Sequence, residues 1–412
     1  RLDELSDLIH KENGKPHFEA MINDILPSIE LLTYFARKAP RLLKPKTVWL
    51  NNPVVWHRKS TFYYKPLGVV AVISPWNFPF FLPFSEIAQA LLAGNAVVFK
   101  PSEVTPLVGL KIQSLCDEAG IPSDLLQTVV GDGKLGAAII DQKPDKIFFT
   151  GSVETGKKIM SAASQYLIPV NLELGGKDAM IILPDADLDF ASSAATWGVF
   201  GNSGQVCAST ERILVHESIA ETFIQKLKEK AEALRPDQDL GAITYEAQKR
   251  IYEKQIAQAK SAGAIIVTGG EFNSDRTALK PTIVTGDGIE NTDIYKDESF
   301  GPVVAVAKFK STAEAIQKAN DSRYGLLASV VSKNIPLAED VAKNIEAGTV
   351  TINEVSYTAA LPETPWGGVK ETEFGKKHSD AGFMEFSRVL HIHKPRSKAF
   401  VFKSLWWFPY SQ

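Results

Sequence analysis

Val69-Val-Ala-Val-Ile-Ser74 is a β-branched apolar run that stops at Pro75-Trp-Asn-Phe-Pro79, and it opens a series of such runs. Residues 96–100, 126–130, 146–149, 170–174 and 180–183 continue the series, separated by longer segments of helical period. Short buried strands alternating with helices are what a parallel sheet with crossover connections requires. The intervening segment 106–119 has Pro106 at its first turn and Gly120 just past its end, the start and stop signals of a helix. The reading is a doubly wound α/β fold.

The alternation resumes in residues 213–216, 265–268, 283–284, 303–309, 327–332 and 349–353, which predicts a second α/β lobe. Segments 219–234 and 244–262 each have one apolar stripe and are expected on its surface. Two lobes also suit a chain of 412 residues, more than one hydrophobic core usually organises. Segment 46–65, with Trp49, Trp56, Phe62 and Tyr63, reads as a hairpin too small to bury its own apolar face, so it should pack on something else, such as another subunit.

Lys plus Arg number 45 against 48 Asp plus Glu, a formal net charge of −3, which leaves no electrostatic footprint for nucleic acid. A small-molecule partner is expected instead. Cys116 and Cys207 are the only cysteines, which excludes a disulfide framework and suits a reducing compartment, the cytoplasm being the simplest. The apolar run 67–84 has nearly the length of a membrane span, but Pro75, Pro79 and Pro83 would break a spanning helix. The chain opens on an amphipathic helical pattern (Leu2, Leu5, Leu8, Ile9) rather than a signal peptide, so the sequence is expected to start inside a domain.

Cys207 lies among small and polar residues, Gly201-Asn-Ser-Gly-Gln-Val-Cys207-Ala-Ser-Thr210, where a substrate carbonyl can approach sulfur. An adjoining helix end with free N–H groups would favour the thiolate there. Cys116 sits on an apolar helix face and reads as a packed core thiol. In Leu172-Glu-Leu-Gly-Gly-Lys177 a carboxylate ends a strand ahead of two glycines, at the edge where open α/β sheets bind ligands. Such a carboxylate can serve as a general base. Phe149-Thr-Gly-Ser-Val-Glu-Thr-Gly156 joins a strand to a helix start that can hold a phosphate. Lys100-Pro-Ser-Glu103 ends a further strand with groups suited to ribose or phosphate. Asn77, between prolines and aromatics, is placed to donate to an oxyanion, and Glu298-Ser-Phe-Gly-Pro302 sets a carboxylate beside an aromatic. Each of these alone is as well explained by an ordinary turn, packed thiol or solvated carboxylate.

Taken in order, with Gly348-Thr-Val-x-x-Asn353 and Pro365-Trp-Gly-Gly-x-Lys370, they closely resemble the aldehyde dehydrogenase superfamily over nearly the whole chain. The resemblance implies a Rossmann-like cofactor lobe (residues 1–47 and 67–175), a second α/β catalytic lobe (176–370) and a small β oligomerisation element (48–66 and 385–394), with an aromatic tail at 395–412. It makes Cys207 the nucleophile, Glu173 the general base and Asn77 the oxyanion donor beside the Cys207 N–H. NAD, or NADP, is the implied cofactor. Lys100, Ser102 and Glu103 would meet the adenosine ribose, Gly151, Ser152 and Gly156 the pyrophosphate, and Trp76, Leu174, Glu298 and Phe300 the nicotinamide side. No metal is implied. The substrate pocket is expected from Phe78, Phe81, Leu82, Val206, Tyr357 and Trp366, apolar surface for a hydrophobic aldehyde. A homodimer or homotetramer is the implied assembly.

The sequence departs from the family pattern in three places. The strands that usually precede the first helix are not in it, so the amino-terminal part of the cofactor lobe is expected to be missing from this sequence. Glu371-Thr-Glu-Phe-Gly375 and Ser379 replace a more glycine-rich run. The chain also continues past the oligomerisation strand into Phe400, Phe402, Leu405, Trp406, Trp407, Phe408 and Tyr410, with Lys398 and Lys403. A tail docked on the protein is favoured there over membrane contact. Rival readings are a semialdehyde or glyceraldehyde-phosphate dehydrogenase, a coenzyme-A-acylating dehydrogenase, a plain hydrolase that cleaves esters through a Cys207 thioester, and a catalytically silent structural or binding protein of the same fold. Ser85, where the resemblance places an arginine in semialdehyde-specific members, argues against the first, and Glu173 against the second.

Overall fold

The computed structural model describes residues 1–401 and 407–408, with only the backbone of Tyr357 and Phe400. Phe402, Lys403, Leu405, Trp406 and Tyr410 of the tail lie outside the described residues. No helix among those described is long and apolar enough to cross a membrane.

A six-stranded sheet is ordered Glu373–Phe374, Val170–Glu173, Lys146–Thr150, Val69–Ile73, Ala96–Lys100, Leu126–Thr128, and is parallel apart from the first, two-residue strand. From Val69–Ile73 the chain winds outward through Ala96–Lys100 to Leu126–Thr128. It then crosses back to build Lys146–Thr150 and Val170–Glu173 on the other side. The topological switch therefore falls between Val69–Ile73 and Lys146–Thr150, where a crevice opens at the carboxyl ends of the strands. Helices cover both faces, which is why Lys146–Thr150 is buried along its whole length, with the apolar run Ile147-Phe-Phe149 between its two polar ends. Helix Pro106–Glu118 buries Val108, Ile112 and Cys116 against this sheet. It ends where Gly120 takes φ +81° and lets Ile121 N–H bond back to Cys116 O at 3.0 Å.

The second sheet has seven strands, ordered Ile265–Thr268, Thr282–Thr285, Val303–Phe309, Thr210–His216, Asp178–Ile182, Leu327–Val331, Thr349–Ile352. Only the Ile265–Thr268 pairing is antiparallel. Strand Asp178–Ile182, grouped by sequence spacing with the first series, belongs to this sheet instead. Gly175 and Gly176 carry the chain from one sheet to the other. Helices Ala220–Glu232 and Glu246–Ser261 lie on the outside, as their stripes require, burying Phe223 and Leu227, and Tyr252 and Ile256.

Strands Lys46–Val48 and Arg58–Pro66 form the small hairpin, and its missing partner comes from the far end of the chain. Ser387–Pro395 pairs with Arg58–Pro66 from Ser387↔Pro66 to Pro395↔Arg58. Trp49, Trp56, Val389 and Leu390 remain exposed on this three-stranded sheet.

Candidate active site

The carboxyl ends of the six-stranded sheet border a cavity of about 670 Å³, and both Asn77 and Cys207 are in its wall. So are Trp76, Lys100, Ser102, Glu103, Gly151, Ser152, Leu174, Glu298 and Phe300, contributed by four strand ends and two loops of the second lobe. Residues more than two hundred positions apart are thus gathered at the one place where the fold leaves a crevice.

Asn77 follows strand Val69–Ile73 and is 3% exposed. Its backbone carbonyl accepts from Lys15 Nζ (2.8 Å) and Asn202 Nδ2 (3.1 Å), and its own Nδ2 donates to Gln205 O (3.1 Å). An amide nitrogen carries two hydrogens, so one donor stays available to the cavity after the side chain has been locked in place. Lys15 is itself held by the buried Asp24 at 2.7 Å, and Asp24 also accepts the N–H groups of Phe80 (3.1 Å) and Phe81 (3.0 Å).

Cys207 is half-buried between the turn Gly201–Gly204, in which Asn202, Ser203 and Gly204 take positive φ, and strand Thr210–His216. The expected helix start beside the sulfur is therefore not there. Burial, and then the negative charges of Glu173, Asp178 and Glu298, push the thiol up to about 12. The site therefore favours a thiol over a thiolate, first because burial disfavours the charged sulfur and then because the acidic groups around it outweigh Lys377. Val206 and Trp366 pack with Cys207 against Leu326 and Leu327 in a small apolar cluster.

Glu173 closes strand Val170–Glu173, buried just behind the wall residue Leu174. Burial raises its carboxyl to about 7, against the pull of Lys377. The two glycines after it have different jobs. A Cβ on Gly175 would stand 2.5 Å from the Glu298 carboxylate, while one on Gly176 would overlap the Cys207 carbonyl oxygen. Gly176 N–H also donates to Glu298 Oε1 at 2.9 Å. Burial and the neighbouring Glu211 raise Glu298 to about 8.

Among the residues expected to meet a cofactor, Lys100 Nζ lies 3.5 Å from Glu103 Oε2 and donates to Pro101 O at 3.1 Å. Ser152 caps helix Val153–Ser164, its Oγ accepting from Thr155 N at 3.3 Å. Trp76 meets Phe300 edge to face with ring centroids 5.6 Å apart. Two of the expected residues are placed elsewhere. Gly156 lies beneath the cavity, where any Cβ would come within 2.5 Å of the Leu174 side chain, so it serves helix-to-strand packing. Phe81 packs in the core of the first lobe, and its backbone N–H donates to Asp24 at the start of helix Phe81–Leu92. Phe78 packs on that same core, with Lys15 Nζ 4.4 Å from its ring centroid, and Leu82 does reach the cavity. Tyr357 lies in the short turn Tyr357–Ala360, and its side chain is outside the described residues.

Residues 1–392 match the aldehyde dehydrogenase family. The chain belongs to that family. A 4,4′-diapolycopene aldehyde oxidase of Methylomonas is 40% identical over the full chain, covering 77% of that protein, and an aminoaldehyde dehydrogenase of Pisum sativum is 38% identical over 95% of this chain and 79% of its own length. Among solved structures, betaine aldehyde dehydrogenase of Staphylococcus aureus in complex with NAD+ superimposes with a TM-score of 0.91 at 32% identity, over 98% of this chain and 82% of that one. This aldehyde dehydrogenase is accordingly an oxidoreductase acting on aldehydes, built on a Rossmann-like lobe.

Sequence reasoning missed the buried charges that hold the dehydrogenase site together. Glu211 pairs with Lys177 at 2.5 Å and accepts the N–H groups of Ser299 and Phe300, both at 2.7 Å, so one carboxylate fixes the Glu298 to Phe300 loop. Lys377 pairs with Glu86 at 2.5 Å and donates to Thr150 Oγ1 at 2.7 Å. A signal was present. Glu211 and Arg212 interrupt an otherwise apolar strand, and Glu86 precedes Ile87 and Ala88 on an apolar helix, positions where charge survives only when paired.

Proposed function

We propose that this chain oxidises a hydrophobic aldehyde to its carboxylic acid with NAD, using Cys207 as nucleophile, Glu173 as general base and Asn77 as oxyanion donor. The observation that carries this reading is the shared cavity, whose wall contains Cys207 and Asn77 together with Lys100, Glu103, Ser152 and Glu298. Those four suit a dinucleotide: hydroxyl acceptors and a cation at strand ends, and a helix start for phosphate. Bound there, NAD supplies the hydride acceptor that the oxidation needs.

The protein's own part follows from its groups. Cys207 Sγ, once its proton is lost, bonds to the aldehyde carbon, and the carbonyl oxygen becomes an oxyanion held by Asn77 Nδ2 and the Cys207 N–H. After oxidation the acyl group remains on Cys207 as a thioester. Glu173 takes a proton from water, the hydroxyl adds to the thioester carbon, and the Cys207 sulfur leaves. A carboxyl raised to about 7 is suited to that proton transfer near neutral pH.

Leu82, Val206 and Trp366 supply apolar surface around Cys207, and Ser85 is buried with its hydroxyl on Leu82 O at 2.8 Å rather than offering a cation to an anionic substrate. The Methylomonas relative, named for 4,4′-diapolycopene aldehyde, supports the same substrate class. The exposed apolar residues of the three-stranded sheet support assembly as a homodimer or homotetramer. Aldehydes of graded chain length, assayed with NAD or NADP and with coenzyme A present or absent, test the proposal. NADH formation that rises with chain length and ignores coenzyme A is expected, and a strict need for coenzyme A or for an anionic semialdehyde contradicts it.

A further inference from the structure

Thr150, Glu173 and Glu373 stand in one row across three adjacent strands, Thr150 paired with Glu173 in the parallel ladder and Glu373 with Glu173 in the antiparallel one. Side chains so paired project to the same face of a sheet. Lys377 is on that face too, since its ammonium reaches the Thr150 hydroxyl. Two carboxyl groups are therefore direct neighbours in a buried setting, an arrangement that two full negative charges would make costly. Among the described residues, Glu173 Oε1 and Glu373 Oε1 are both buried and neither has a hydrogen-bond donor. The other oxygen of Glu373 accepts the Gly368 N–H, and Lys377 is already engaged with Glu86 and Thr150. One proton between the two orphaned oxygens would satisfy both, as a donor on one side and an acceptor on the other.

We propose that Glu373 is a positioning residue for Glu173: as a neutral carboxylic acid it donates its O–H to the Glu173 carboxylate, keeping that base ionised and fixed in direction. This rests on the role of Glu173 as general base. The charged groups around the pair are Lys377, Glu86 and Lys376, and they divide the labour in a consistent way. Lys377, Lys376 and the Glu373 hydrogen bond lower the Glu173 carboxyl, while burial and Glu86 raise it. Burial and the Glu173 charge raise Glu373 to about 9, so of the two it is Glu373 that keeps the proton at neutral pH. The sequence alone shows none of this, because Glu373 occupies a run that resembles the family only loosely and its partner is two hundred residues away.

Hydrolysis of the acyl-enzyme isolates the step, because Cys207 is then esterified and does not titrate. Single-turnover hydrolysis across pH 5.5 to 10 would be followed in the full-length wild type and in Glu373→Gln, Glu373→Leu and Glu173→Gln. In the wild type the rate should rise as Glu173 ionises and fall again as Glu373 loses its proton. Glu373→Gln keeps a donor that does not titrate, so its rising limb should stay in place and the alkaline fall should vanish. Glu373→Leu has no donor, and its rising limb should move up by about one pH unit. A Glu373→Leu profile that superimposes on the wild type, or a Glu373→Gln profile displaced as far as Glu373→Leu, overturns the inference while leaving Glu173 as base. Undiminished hydrolysis in Glu173→Gln overturns the base assignment itself.

Discussion

Gly176 and Cys207 are in backbone contact, so close that a Cβ on the glycine would overlap the cysteine carbonyl oxygen. Gly176 is thus a spacing element for the Cys207 loop, and its contacts differ from those of Gly175, which faces the Glu298 carboxylate. Gly176→Ala has to displace the Cys207 backbone, which should lower kcat at least tenfold and cost about 2 kcal/mol of stability. Gly175→Ala meets only the end of the Glu298 side chain and should act mainly on KM for NAD. Steady-state kinetics and thermal melting of both variants check this, and a Gly176→Ala enzyme equal to wild type contradicts it.

A thiol pushed up to about 12 should be slow to alkylate. Raised pKa means that the thiolate fraction grows tenfold per pH unit throughout the accessible range, so iodoacetamide labelling of the cofactor-free enzyme should climb steadily to pH 10 without a plateau. Glu173→Gln removes the largest of the charges acting on Cys207, and labelling at pH 8 should become several-fold faster. Mass spectrometry of the Cys207 peptide supplies the rates. A plateau near pH 7 would show an ionised sulfur and contradict the electrostatics.

Glu103 is in the cavity wall with its carboxylate 3.5 Å from Lys100 Nζ, where the proposed function puts the adenosine ribose. A carboxylate there hydrogen-bonds a ribose 2′-hydroxyl and repels a 2′-phosphate, so NAD should be preferred over NADP. Glu103→Gln should narrow the ratio of kcat/KM values by about tenfold, equivalent to roughly 1.4 kcal/mol. A wild-type preference for NADP removes Glu103 from this role.

The parts of the fold that the sequence disclosed were those encoded locally. β-branched runs such as Val69–Ile73 and Val303–Phe309 announce buried strands, and the turns after them place Asn77, Lys100, Ser152 and Glu173 at one sheet edge. Roles that depend on residues remote in sequence were hidden. Lys377 has meaning only beside Glu86 and Thr150, and Glu211 only beneath Ser299 and Phe300. Gly156, packed on Leu174, and Phe81, packed in the core of the first lobe, show why: motif position says that a residue is near a site, and only packing says whether it faces the ligand or the core.

The division of labour between Cys207 and Glu173 is the centre of the account, and rapid-mixing absorbance of NADH tests it most directly. With a hydrophobic aldehyde and NAD in excess, Cys207→Ser should form no NADH, whereas Glu173→Gln should give at most one equivalent per active site in a burst and then stall on the unhydrolysed thioester. Undiminished steady-state turnover in either variant would contradict the assignment of that residue.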